Sequence, residues 1–178
     1  MRWNGFAASA LFAACAALGW FAALALGAPL VGARRVLVLY LVMITATYAA
    51  GLAPRDRSRL ATGLVTGALG LGVALLAHGL VDLVLGLGVV LAVARGVWLY
   101  RTRPARAIAT EVVLIGGGLV FARFLGGSGP LAIALAIWGF FLVQSVFFLV
   151  GGFRPRTAEG RHPDPFEDAY DRALSLLD

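Results

Sequence analysis

Six long apolar stretches are the feature that most constrains how this chain can fold. They cover about residues 5–27, 36–52, 60–77, 80–100, 107–125 and 130–152. A helix needs about 20 mostly apolar residues to cross the hydrocarbon core of a bilayer, and a helix satisfies all its backbone hydrogen bonds internally. Glycine or proline separates the stretches, as is typical of turns. We therefore predict an all-α fold, a polytopic membrane protein whose residues 1–152 form a bundle of six transmembrane helices with very short loops.

The composition supports a membrane protein and indicates its source. The chain is 61% hydrophobic, and its mean hydropathy is +0.90. All 15 basic residues are arginine, and because arginine, alanine and glycine have GC-rich codons we infer a bacterial origin. Residues 1–158 carry thirteen arginines and three acids, whereas residues 159–178 carry two arginines and six acids. The arginines flank apolar stretches, so membrane lipids rather than nucleic acid are the expected partners.

The positions of the arginines predict the orientation of the bundle. With the N-terminus inside, nine arginines fall on the inner side and two, Arg34 and Arg35, fall on the outer side. Cytoplasmic loops carry the excess of basic residues, so we expect a bacterial inner (plasma) membrane protein with cytoplasmic N- and C-termini. The first apolar stretch is longer than the core of a secretory signal peptide, and we interpret it as a retained helix.

Catalytic and cofactor chemistry has little support in the residue types present. A single cysteine, Cys15, excludes an intrachain disulfide and a cysteine metal cluster. His78 and His162 fall in opposite compartments of the predicted topology, which excludes bis-histidine haem ligation. The chain contains neither H-E-x-x-H nor G-x-S-x-G. We therefore expect no enzyme, no catalytic residue, no metal site and no cofactor.

Four charged residues interrupt the fourth and fifth apolar stretches: Asp82, Arg95, Glu111 and Arg123. Each costs about 2.5–3.5 kcal/mol at mid-bilayer on insertion scales. Facing residues of an antiparallel hairpin have a constant sum of residue numbers, and the sum is 205 for Asp82 with Arg123 and 206 for Arg95 with Glu111. We therefore predict two intramembrane ion pairs, Arg95–Glu111 and Asp82–Arg123. In the alternative, each arginine extends separately to the lipid headgroups.

Glycines suggest both helix packing and a possible transport path. Gly63 and Gly67 form a small-xxx-small pair that favours close helix packing. Three consecutive glycines follow Glu111: Gly116, Gly117 and Gly118. Each weakens a helix by about 1 kcal/mol relative to alanine, and helices broken near mid-membrane form binding sites in transporters. The preferred interpretation is nevertheless a groove for a bulky neighbour such as Trp138 or Phe140, with the helix break as the alternative.

The C-terminal segment, residues 153–178, is polar and is predicted to be a cytoplasmic tail. A helix at about residues 165–177 begins at Asp164-Pro165 and is amphipathic. Its apolar face carries Phe166, Tyr170, Leu174 and Leu177, and its opposite face is acidic. Such a helix can dock on the basic inner loops of its own bundle or on a groove of a protein partner.

Two functions are therefore compatible with the sequence. The first is a non-catalytic integral membrane subunit or scaffold that anchors or recruits a protein partner through its acidic C-terminal helix. The second is a small oligomeric transporter or channel for an ion, proton or small solute, in which Glu111 and a helix break at Gly116–Gly118 form the path.

Overall fold

The structure is a computed structural model that describes residues 5–53, 56–98, 104–125, 127 and 129–148. These ranges contain six helices and no strand: α1 Phe6–Val31, α2 Ala33–Leu52, α3 Asp56–Leu76, α4 Leu80–Trp98, α5 Pro104–Leu125 and α6 Pro130–Val146. Helices α1 to α5 are long and apolar enough to cross a membrane, whereas α6 is a shorter apolar helix. The described chain is thus all-helical, and its apolar helices suit a membrane-embedded protein.

The connection between α1 and α2 is shorter than the sequence predicts. Helix α1 continues through Pro29 to Val31 rather than ending near Gly27. Proline lacks an N–H donor and crowds the carbonyl four residues before it, so the last turn of α1 lacks one backbone hydrogen bond and only two residues follow Pro29 in the helix. The turn is made by Gly32, whose φ of 86° suits a residue without a Cβ, and α2 starts at the next residue.

Helices α3 and α5 begin earlier than the apolar stretches do. Helix α3 starts at Asp56, four residues before the predicted span, and includes polar residues. Helix α5 starts at Pro104, because proline is favoured at the first helical position. Hydropathy marks the lipid-soluble part of a helix, whereas the helix itself extends into the interface. Residues 99–100 and 149–152 of the predicted fourth and sixth stretches lie outside the described residues.

The helices pack in a closed order around the bundle. Helix α1 lies between α2 and α6, α5 packs on the other side of α6, and α4 contacts α5, α3 and α2. The core of the bundle contains a triangle of aromatic rings from α1, α2 and α6. The ring centroids of Phe12, Tyr48 and Phe141 are 5.3–5.4 Å apart. This cluster joins the helices most distant in sequence.

Small residues bring α2 and α3 together. A Cβ added at Gly63 would lie 3.3 Å from the Cβ of Ala50, and one added at Gly67 would lie 3.7 Å from that of Ala46. The predicted small-xxx-small packing of Gly63 and Gly67 is therefore confirmed, with alanines as the facing residues. Close backbone approach of this kind holds helices together where lipid offers no hydrophobic drive.

Candidate functional site

Arg95 of α4 and Glu111 of α5 meet inside the bundle. Arg95 Nε donates to Glu111 Oε1 at 2.7 Å, and Arg95 Nη2 donates to Glu111 Oε2. Arg95 is fully buried and Glu111 is 8% exposed. A bidentate arginine–carboxylate pair combines charge attraction with two parallel hydrogen bonds. The two charges therefore compensate one another and link α4 to α5.

The structure does not bring Asp82 and Arg123 together. Both side chains are exposed, and within the described ranges no ion pair joins them. Helices α4 and α5 touch where Gly88 packs against Ile115, but they separate toward the end that carries Asp82 and Arg123. The predicted ion pair between Asp82 and Arg123 is therefore not formed. Each of these residues lies near a helix end, where the Asp82 carboxylate is close to water and the long Arg123 side chain can reach the headgroups.

The three glycines do not break α5, which is helical from Pro104 to Leu125. Gly116 and Gly117 lie on the exposed side of this helix, whereas Gly118 is buried. A Cβ added at Gly118 would lie 2.9 Å from Cδ2 of Phe140. The alternative of a helix break is therefore wrong, and the predicted groove for a bulky neighbour is found at Gly118, which accommodates the Phe140 ring of α6.

Other polar side chains surround the Arg95–Glu111 pair. We use the name polar cluster for Ser9, Tyr48, Arg95, Glu111 and Gln144, which come from five different helices. The Ser9 and Tyr48 hydroxyls are hydrogen-bonded at 2.9 Å, and Tyr48 interacts electrostatically with both Arg95 and Glu111. Gln144 Nε2 donates to the backbone carbonyl of Leu114, one turn from Glu111, at 3.1 Å. The polar cluster thus ties α1, α2, α4, α5 and α6 together near one end of the bundle.

Sequence reasoning missed Ser9, Tyr48 and Gln144 as members of the site. One signal was present, because Gln144 is the only glutamine in the chain and it lies in an apolar stretch. Polar residues at such positions mark bundle interiors or functional sites. A single Ser or Tyr in a membrane helix carries a weaker signal, since either can also lie at an interface.

Arg95 also contacts an aromatic ring just beyond α6. Its Cζ lies 5.8 Å from the ring centroid of Phe147, a distance that allows cation–π attraction. Arg95 Nη1 and Gln144 Oε1 have no hydrogen-bond partner among the described residues. Arg95 therefore depends on Glu111 for most of its stabilisation.

The Arg95–Glu111 pair lies apart from the two cavities found in the bundle. Two cavities of about 1060 Å³ and 250 Å³ lie among the described residues, and neither is lined by Arg95 or Glu111. Within the same ranges, no group of three His, Cys, Asp or Glu side chains could hold a metal ion.

The predicted partner-binding face of the tail lies outside the described residues. This applies to Phe166, Tyr170, Leu174 and Leu177. The amphipathic helix at about 165–177 and its docking site therefore remain predictions from the sequence.

Comparisons with protein-family models, with curated proteins and with solved structures found no match to the chain.

Proposed function

We propose that the chain is a non-catalytic membrane subunit or scaffold of the bacterial inner membrane. In this proposal the bundle is an anchor with both termini in the cytoplasm, and the acidic C-terminal helix recruits a protein partner. The observation that carries the proposal is the buried Arg95–Glu111 pair. Charges that compensate one another inside a bundle stabilise one arrangement of helices, and neither charge of this pair is then free to bind a solute.

The polar cluster supports a rigid anchor. It links five helices through side chains from widely separated parts of the sequence. Buried polar pairs can select one packing arrangement from several apolar alternatives, and hydrogen bonds between membrane helices contribute about 0.6 kcal/mol each on average. A bundle fixed in this way presents its cytoplasmic segments in a constant geometry.

The proposal includes six membrane crossings. Helix α6 has 17 residues, which at 1.5 Å per residue span about 26 Å. This is slightly shorter than a hydrocarbon core of about 30 Å, but α6 packs against α1 and α5 along the bundle. A short helix in such a position can be accommodated by local thinning of the bilayer. The excess of inner arginines supports cytoplasmic termini.

The transport alternative has less support from the geometry. A transporter that uses Glu111 needs a water-filled path to its carboxylate, and the two cavities described above do not reach it. The continuous α5 also removes the helix break that suggested a binding site. If an oligomer formed a path to Glu111, the Glu111 carboxylate would still have to separate from Arg95. This separation would leave a buried charge uncompensated.

Removal of the tail tests the recruiting role. We expect the variant lacking residues 159–178, once extracted from membranes, to have the same melting temperature as the full chain. The protein that co-purifies with the full chain should be absent from it. Leu174→Glu on the apolar face of the predicted helix should have the same effect, because a charge there opposes docking in an apolar groove. Arg172→Gln, on the other face, is the matched control and should retain the partner.

Two outcomes contradict the recruiting role. If the same proteins co-purify with the truncated and the full chain, the tail does not bind the partner. If truncation lowers the melting temperature of the bundle and Leu174→Glu does the same, the tail docks on its own inner loops.

A further inference from the structure

A large apolar cleft lies between α4 and α5. Its volume is about 1060 Å³, slightly above the roughly 300–1,000 Å³ typical of ligand sites. Helices α2 and α6 form its floor with residues such as Leu41, Ile137 and Phe141. Apart from Thr45 and Arg123, every residue that lines it is apolar or glycine. We call this feature the lateral cleft.

The lateral cleft opens toward the side of the bundle. Its rims carry exposed apolar side chains, with Val81 of α4 62% exposed and Val120 and Phe124 of α5 71% and 85% exposed. The Arg95–Glu111 pair holds α4 and α5 together at one end, and the helices separate toward the other end. In a membrane this opening faces hydrocarbon, so a lipid chain can enter it directly from the bilayer.

One cation lies on the lining of the lateral cleft. Arg123, in the last turn of α5, is exposed and has no ion-pair partner among the described residues. Its guanidinium presents five donors in a planar fork that matches the oxygens of a phosphate. Asp82 is exposed near the same end of the bundle but does not line the cleft. The cleft therefore combines an apolar interior with a single positive charge near a membrane surface.

We propose that the lateral cleft binds an anionic phospholipid, with acyl chain between α4 and α5 and phosphate against Arg123. The apolar lining matches the acyl chain, and the unpaired guanidinium of Arg123 matches the phosphate of the headgroup. A lipid bound in this position fills the space between the separated halves of α4 and α5. The inference does not depend on the recruiting role of the tail.

Photolabelling of the full chain tests the proposal. The protein is reconstituted in phosphatidylcholine nanodiscs that contain a little phosphatidylglycerol with a diazirine on its acyl chain, and labelled peptides are mapped by mass spectrometry. We expect labels to concentrate on the cleft-facing residues of α4, α5 and α6. Arg123→Gln should lower this labelling about fivefold, which corresponds to the ~1 kcal/mol contributed by one basic residue near an anionic membrane surface. Arg35→Gln, an exposed arginine of α2 outside the cleft lining, should leave it unchanged.

A second pair of variants tests the cleft without changing charge. Ala136 lines the cleft and is half-buried, whereas Ala68 is exposed on α3 away from it. Ala136→Phe should suppress the cleft labels because the ring occupies the space of the acyl chain, and Ala68→Phe should not. Melting temperatures of all four variants show whether each one remains folded.

Three results would overturn the proposal. Labels spread evenly over the lipid-facing surface indicate only annular lipid. Equal labelling by phosphatidylcholine and phosphatidylglycerol probes, with no effect of Arg123→Gln, removes the headgroup contact. A disulfide-linked dimer formed by Val120→Cys in a Cys15→Ala background identifies a second copy of the chain as the occupant.

Discussion

Glu111→Ala is expected to lower the free energy of unfolding by about 3–5 kcal/mol, the usual cost of removing one partner of a buried ion pair. Arg95 is fully buried, and its Nη1 already has no hydrogen-bond partner among the described residues. Without the Glu111 carboxylate, both remaining donors would also lose their acceptors. The measurement is the thermal stability of the detergent-solubilised chain, followed by size-exclusion chromatography.

Three controls separate this effect from a general loss of a carboxylate. Asp82→Ala removes an exposed acid from α4 and should change stability by no more than about 0.5 kcal/mol. The exchange Arg95→Glu with Glu111→Arg should recover much of the lost stability, because the pair is re-formed in reverse. Arg95→Leu with Glu111→Leu should be nearly neutral or stabilising, since apolar pairs often replace buried ion pairs without loss. A Glu111→Ala variant as stable as the parent chain would show that the pair does not link the helices.

Gly139→Ala is expected to destabilise the contact between α5 and α6 by about 1–3 kcal/mol, the typical cost of overpacking. A Cβ at this position would lie 2.3 Å from Cδ1 and 2.7 Å from Cε1 of Phe121, and 3.1 Å from Cδ1 of Leu125. The Cβ of alanine is fixed by the helix backbone, so the Phe121 ring would have to move away from α6. Thermal unfolding of the purified chain measures the change.

Gly116→Ala is the matched control, because it makes the same substitution in a membrane helix with no heavy atom within 4 Å of the added Cβ. It should leave stability unchanged or raise it by up to about 1 kcal/mol, since alanine favours the helix more than glycine does. Equal melting temperatures for the Gly139→Ala and Gly116→Ala variants would contradict the close packing of α5 on α6.

Hydropathy predicted the number and the centres of the helices but not their ends. Lipid solubility requires long apolar segments, and this requirement is visible in the sequence. The starts of α3 and α5 lie in polar sequence at Asp56 and just before the polar Arg106, where hydrogen bonding and not hydropathy extends the helix. The continuation of α1 past Pro29 likewise depends on the local turn at Gly32.

The sums of residue numbers predicted which residues of α4 and α5 face one another, but they could not give the distance between the two helix axes. They treated both predicted ion pairs alike. Arg95 and Glu111 are closer in sequence to the connection between α4 and α5, where two antiparallel helices must stay near one another. Asp82 and Arg123 lie far from that connection, and there the helices separate around the lateral cleft. The sequence contains no signal for that separation, because it depends on tertiary packing.

The other contacts of the polar cluster depend on tertiary packing. Gln144 binds a backbone carbonyl of α5, and a backbone acceptor has no sequence signature. The Ser9–Tyr48 hydrogen bond joins residues 39 positions apart, with no charge pattern to indicate it. The sequence suggested Phe140 as a neighbour of the three glycines, but it could not tell that Gly118 faces this ring while Gly116 faces outward.

Water access beside Glu111 tests most directly whether the polar cluster is a dry structural link. Leu114 lies one turn from Glu111 and is 3% exposed, so Leu114→Cys in a Cys15→Ala background reports on this position. In sealed membrane vesicles we predict no reaction with a water-soluble maleimide until the protein is denatured, whereas His78→Cys at an exposed turn reacts at once. Labelling of the Leu114→Cys variant in the folded protein, from either side of the membrane, would contradict the structural role and favour a transport path through Glu111.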